Sequence, residues 1–214
     1  TFTSSIYANA LAMWNLSTNI INVPLITDSN PMRRHTYEVF TYVDTEDALY
    51  MMKGANSAEA SGCGADMKMW QYSFAANSWS EVLNANVPTT YGCEGKMFYW
   101  KAAHKLVYTD GWNTGTFEFD LTGTRQWVQV SVTKQNMPSG LFPYAYHSVW
   151  DSNRNLWIFF ANSELISYNP VTHTYQGISV TGAKPPIFAQ AGITFIPQYD
   201  VYVVAGGRIN SGTY

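Results

Sequence analysis

A short block recurs four times along this chain. It is an apolar, strand-like run that closes on a small residue: Leu49-Tyr50-Met51-Met52-Lys53-Gly54, Leu106-Val107-Tyr108-Thr109-Asp110-Gly111, Leu156-Trp157-Ile158-Phe159-Phe160-Ala161 and Tyr202-Val203-Val204-Ala205-Gly206-Gly207. The closing residues stand 57, 50 and 46 positions apart. A period of about 50 residues predicts an array of supersecondary units stacked on one another. Helical 3.6-residue periodicity never survives beyond a turn, so the expected class is all-β.

Composition points the same way. The chain carries 15 Tyr, 11 Phe and 8 Trp but only 13% charged residues. Aromatic and β-branched side chains suit a pleated surface packed against another sheet. Net charge is −3 and there is no basic run. Nucleic acid is therefore not an expected partner, because its phosphates demand a cationic footprint. No apolar stretch reaches the ~20 residues a helical membrane span requires.

Each unit resolves into four short strands. The first is an apolar run such as Val39 to Val43, Met97 to Trp100, Val149-Trp150 or Ile193 to Ile196. A four-residue polar turn follows, at Asp44 to Asp47, Lys101 to His104, Asp151 to Arg154 and Pro197 to Asp200. Turns this short force antiparallel neighbours. The recurring block is the second strand. The third ends on an aromatic residue with a turn behind it, as in Trp14-Asn15-Leu16, Tyr72-Ser73-Phe74, Phe119-Asp120-Leu121 and Tyr168-Asn169-Pro170. Seven or eight residues later a second large residue opens the fourth strand: Ile21, Trp79, Trp127 or Tyr175.

Four-stranded antiparallel units at this period are the signature of propeller blades. Tyr168-Asn169-Pro170 followed by Tyr175, together with the Ala205-Gly206-Gly207 ending, resembles the kelch motif's aromatic–Asp–Pro, its tryptophan position and its double glycine. Arg34-His35-Thr36-Tyr37 resembles the Arg-His segment of bacterial kelch repeats. The resemblance covers essentially the whole chain, and the repeats are degenerate: only one unit keeps both glycines. It implies a β-propeller of kelch-like blades, of the kind also found in the central domain of galactose oxidase.

The chain holds four blades' worth of strands in a single domain, 1–214. Strands three and four of one blade fall at 10–23, full blades at about 34–82, 92–132 and 144–179, and strands one and two of a further blade at 189–205. Pairing the two ends would close a four-bladed ring and remove its exposed edges. Kelch propellers usually have six or seven blades, and the sequence starts at Thr1 and stops at Tyr214, where a strand is due. A portion of a six- or seven-bladed ring is the favoured expectation.

Antiparallel alternation puts the inter-blade loops and the loops between second and third strands on one face. Long loops at 24–32, 83–91, 133–143 and 181–187, and the insertion at 55–66, make that face the expected binding surface. Its expected ligand contacts are Arg34, His35, Tyr91, Trp112, Phe142 and Tyr144. The cations could grip an anion and the rings could stack on sugars or anchor a partner; the alternative is that they cap carbonyls and wedge between blades. Cys63 lies in the insertion and Cys93 at the start of the next blade on the same face, so a disulfide is expected, and with it an oxidising compartment; the alternative is two free thiols, one exposed and one half-buried.

No reaction converges on the polar residues. His104 and His173 fall in turns of the opposite face from His35 and His147, so neither a metal site nor any other cofactor is expected. The copper-binding set of two tyrosines and two histidines that galactose oxidase uses finds no matching positions. No carboxylate pair flanks a common point, as glycoside hydrolysis would require, and no Gly-x-Ser-x-Gly context is present. The expected function is recognition of a protein or a surface glycan by a non-catalytic module. The setting expected is extracellular, cell-surface or virion. Alternatives are the propeller part of a carbohydrate-active or oxidase-like enzyme, and a scaffold that assembles with other subunits or remaining blades.

Overall fold

A computed structural model describes residues 13–15, 20–22, 38–52, 68–88, 95–111, 115–137, 147–161, 164–183 and 187–209. These form seventeen strands in five sheets. A two-stranded unit, β1 (Met13–Asn15) and β2 (Ile20–Asn22), comes first. The first full blade is β3 (Phe40–Val43), β4 (Ala48–Met52), β5 (Met69–Ser73) and β6 (Ser78–Glu81). The second is β7 (Lys96–Trp100), β8 (Lys105–Gly111), β9 (Gly115–Asp120) and β10 (Trp127–Val130). In the third, β12 (His147–Asp151), β13 (Leu156–Ala161), β14 (Glu164–Asn169) and β15 (Thr174–Ile178) are joined by a fifth strand, β11 (Thr133–Gln135). A hairpin of β16 (Ile187–Ile196) and β17 (Val201–Ile209) ends the array. Consecutive strands within each blade pair antiparallel.

The repeat read from the sequence is a repeat of register. Val43 pairs with Ala48, Trp100 with Lys105, Asp151 with Leu156 and Ile196 with Val201, so each first turn holds four residues. In all four the last turn residue is left-handed: Asp47, His104, Asn155 and Asp200 have φ of 46°, 52°, 53° and 54°. Asp, Asn and His tolerate that conformation better than other side chains. The third turn lies one residue later than expected, at 152–155. Asp151 ends its strand, and its carboxylate accepts from the backbone N–H of Asn153 (2.9 Å) and Arg154 (3.0 Å).

The pairs of large residues spaced seven or eight apart are direct cross-strand partners: Trp14 with Ile21, Tyr72 with Trp79, Phe119 with Trp127 and Tyr168 with Tyr175. In the three full blades their rings touch, with centroids 5.2, 5.3 and 4.5 Å apart. Such pairs are the unit of sheet stabilisation. They also form wedges between blades. Phe119 and Trp127 pack in one core with Tyr50 and Met52 of the preceding blade. Tyr168 and Tyr175 pack in a second core with Phe98 and Val107 of the blade before theirs.

Two further features bear on the sequence expectation. The loop expected at 133–143 begins as strand β11, which pairs parallel with β15 and extends the third sheet. The second blade's exit is thus stitched to the outer edge of the third, where Thr133 N–H donates to the His173 carbonyl at 3.0 Å. Secondly, β1–β2 and β16–β17 stand as separate two-stranded sheets. No helix among the described residues is long and apolar enough to cross a membrane.

Candidate functional site

The first strands form one edge of every full blade, and these edges converge. The Met97 N–H donates to the Glu38 carbonyl at 2.8 Å, tying the start of β7 to the residues just before β3. Turn register makes Val39, Lys96, His147 and Gly192 repeat-equivalent, with Glu38 one position earlier. Convergence therefore brings Glu38, Lys96 and His147 together from three blades, at the end of the strands where the inter-blade loops arrive.

The geometry at this mouth is specific. His147 Nδ1 lies 2.8 Å from Glu38 Oε1. Ser148 donates to Glu38 Oε2 through its hydroxyl at 2.6 Å and its backbone N–H at 3.1 Å. The Lys96 ammonium sits 3.9 Å from the same oxygen. Lys96 is almost wholly buried, its side chain 2% exposed, while Glu38 and His147 keep 26% and 31% of theirs in solvent. A buried ammonium needs an opposite charge and hydrogen bonds. Glu38 supplies charge here and also staples the third blade to the first.

The equivalent position in the second blade forbids such a side chain. A Cβ on Gly95 would meet the Tyr108 ring at 2.2 Å. The mouth is thus asymmetric in chemistry although the strands that build it are repeats.

The opposite face, made of the short turns, carries a different kind of contact. There, in two of the four first turns, the left-handed turn residue reaches back to the preceding blade. His104 Nε2 faces Glu46 at 3.8 Å, and Asp200 accepts from Arg154 at 2.6 and 2.7 Å. The second turns repeat the device. Arg125 Nη2 donates to the Tyr50 hydroxyl at 2.8 Å, and His173 Nε2 lies 2.9 Å from Glu118. Arg125 and His173 are again left-handed, at φ 53° and 51°.

These contacts set the ionisation of the turn face. Hydrogen bonds from Arg154 and Asn153 hold the Asp200 carboxyl below its usual range. Burial pushes Asp151 upward, but hydrogen bonds from Tyr202 and Arg154 outweigh it and leave it lowered. Burial, and then the hydrogen bond to Glu46, raises the Tyr50 hydroxyl. Lys101 donates to Asp44, which lowers that carboxyl and raises the ammonium. Every one of these groups is held in its resting protonation state, as a structural contact requires and a proton-transfer group does not.

The ligand contacts expected from sequence, Arg34, His35, Tyr91, Trp112, Phe142 and Tyr144, all lie outside the described residues. So do Cys63 and Cys93. His104 and His173 sit on the turn face and His147 at the mouth. Among the described residues no group of three or more His, Cys, Asp or Glu is placed to hold a metal. Glu38 and Lys96 escaped the sequence reading, which looked for carboxylates in the long loops. The available signal was a polar residue directly before or opening an apolar first strand, recurring once per blade.

No protein-family model matches the chain, and no curated protein matches it. Among solved structures, that of YjhT, a β-propeller-like protein, superposes with a TM-score of 0.55 at 11% identity, over 82% of this chain and 60% of that one. A protein from Lactobacillus plantarum gives a TM-score of 0.47 at 11% identity, over 94% of this chain and 63% of that one. The chain thus spans about 60% of the length of YjhT. The likeness shows the fold: an all-β propeller of four-stranded antiparallel blades.

Proposed function

We propose that the protein is a non-catalytic recognition module, a kelch-type propeller or a portion of one, that binds a surface glycan or a protein at the face where its inner strands begin. The mouth cluster carries this reading. Glu38, Lys96, His147 and Ser148 bring polar groups from three blades to one partly exposed point. Long loops flank that point, and such loops on a rigid scaffold are where binding usually resides. The ring period and the cross-strand aromatic pairs support the kelch assignment. An extracellular, cell-surface or virion setting and a Cys63–Cys93 bridge belong to the same reading; a gain of two hydrogens in mass on reduction would identify the bridge. The test is an immobilised-glycan array and a protein cross-linking screen, each run on the full chain and on Glu38→Ala. Retention of a ligand by the native protein alone supports the module; equal retention by the variant removes the mouth from the site.

One observation favours a second role, as a scaffold. Tyr50, Val107 and Ile158 occupy one repeat position and are each 0% exposed beneath the next blade, whereas Val203 at that position is 41% exposed. Another subunit, or a remaining blade, that presents an aromatic face would cover it as the three earlier faces are covered. Light scattering at high concentration tests this, and a strict monomer argues against it.

A further inference from the structure

The protons of His147 Nδ1 and Ser148 are all turned onto Glu38, and this decides what these side chains have left to offer a ligand. A carboxylate has no proton to give, so the 2.8 Å contact between Glu38 Oε1 and His147 requires the proton on Nδ1. In the neutral ring Nε2 is then a bare lone pair. Nε2 has no partner among the described residues, and the side chain is 31% exposed. The Ser148 hydroxyl spends its only proton on Glu38 Oε2 at 2.6 Å, leaving its own lone pairs as acceptors. Lys96, the one Lys or Arg of the cluster among the described residues, is buried behind the carboxylate and balances its charge.

We infer that His147 Nε2 is the central acceptor for a neutral, hydroxyl-rich ligand, a glycan ring that donates its O–H groups into the mouth. This rests on the recognition reading above and names the ligand class for the same site. Among the described residues an anionic ligand finds no open cation there, because the Lys96 ammonium faces Glu38 and is shielded by burial. A cationic ligand meets a carboxylate whose charge is likewise balanced. A metal ion would need further ligands, and the described residues offer no group of three. A hydroxyl donor satisfies an acceptor without introducing charge. Glu38 acts as a positioning residue: it fixes the imidazole tautomer and ring orientation as second-sphere carboxylates do elsewhere.

The test uses the whole chain and a panel of methyl hexopyranosides with their permethylated counterparts, which keep the ring but lose every O–H. Binding is read by ligand-observed NMR, and the histidine tautomer by nitrogen-15 NMR of the free protein. The expected result is a His147 ring protonated at Nδ1, binding of at least one glycoside, and none of its permethylated form. His147→Asn retains an N–H facing Glu38 but lacks Nε2. Its thermal midpoint should match the native protein while affinity falls about tenfold. If that variant fails to fold, the permethylated ligands on native protein give the same decision. A ring protonated at Nε2 overturns the inference without any ligand. Equal affinity for permethylated sugars overturns it while leaving glycan recognition standing. Binding of protein partners but of no glycoside overturns it while leaving the recognition module intact.

Discussion

The turn face and the mouth lie at opposite ends of the same strands, yet they are assembled on opposite principles. On the turn face the geometry repeats and so, at His104, Arg125, His173 and Asp200, does the role: a left-handed residue in one blade reaches back to the blade before it. The residue types change freely, from Glu46 with His104 to Arg154 with Asp200, in which the acidic partner has switched blades. At the mouth the strands repeat but the chemistry does not. Glu38 occurs once, and Gly95 stands where its second-blade counterpart would be. Repetition holds the blades together, and the exception in the repeat is what makes one point on the axis different from the rest.

The comparison can be broken from beneath both ends. Trp157 lies in the second core, packed in tilted and edge-on contacts with Phe98, Phe159 and Tyr168. Trp157→Ala should cost about 4 kcal/mol, measured by denaturant unfolding, because the cavity cannot close against rigid sheets. The same measurement on Glu38→Ala should give a loss of about 2–3 kcal/mol, since one carboxylate accepts several charge-assisted bonds from another blade. Substitution of the exposed Lys101 on the turn face should leave the unfolding midpoint unchanged. A mouth variant no more costly than that one would erase the distinction.

Gly95→Ala sharpens the contrast from the second blade. The added methyl meets the buried Tyr108 ring, and about 1–3 kcal/mol should be lost to overpacking. A neutral result would mean that the asymmetry of the mouth is not enforced by packing.

Acid should separate the two ends more gently. Asp151 is held below its usual range by hydrogen bonds from Tyr202 and Arg154, and Asp200 by those from Arg154 and Asn153. A carboxyl lowered on folding stabilises above its unfolded value and loses that contribution as pH falls through the folded one. Thermal midpoints should therefore be flat from neutrality to about pH 5 and decline below about pH 4. Asp151→Asn should start lower and show a shallower acid decline. An identical acid limb in native and variant proteins would place the sensitivity elsewhere.

Much of the fold was legible because its determinants are local. The four-residue turns, the recurring block and the aromatic pair at a spacing of seven or eight each report a cross-strand register, and register is what a blade is. The misplacement of the third turn by one residue has the same origin: Asp151 is polar like a turn residue but serves as the last strand residue while its side chain caps the turn. Strand β11 was invisible because Thr133-Lys134-Gln135 carries no apolar alternation; it is an edge paired in parallel with β15 and pinned by a hydroxyl contact of 2.8 Å between Thr133 and Thr174. The mouth was illegible for a different reason. Glu38 and His147 are 109 residues apart, and only the stacking of three blades makes them neighbours. Nothing local to either residue announces the other.

The left-handed turn position has one more consequence. Its backbone geometry admits few side chains well, and the four found there are Asp, His, Asn and Asp. These three amino acids are separated by single changes at the first letter of their codons. Drift at that position can thus reverse, remove or restore the charge at a seam between blades without altering the turn. A steric rule about one torsion angle becomes a dial on how such a ring answers to the acidity of its surroundings.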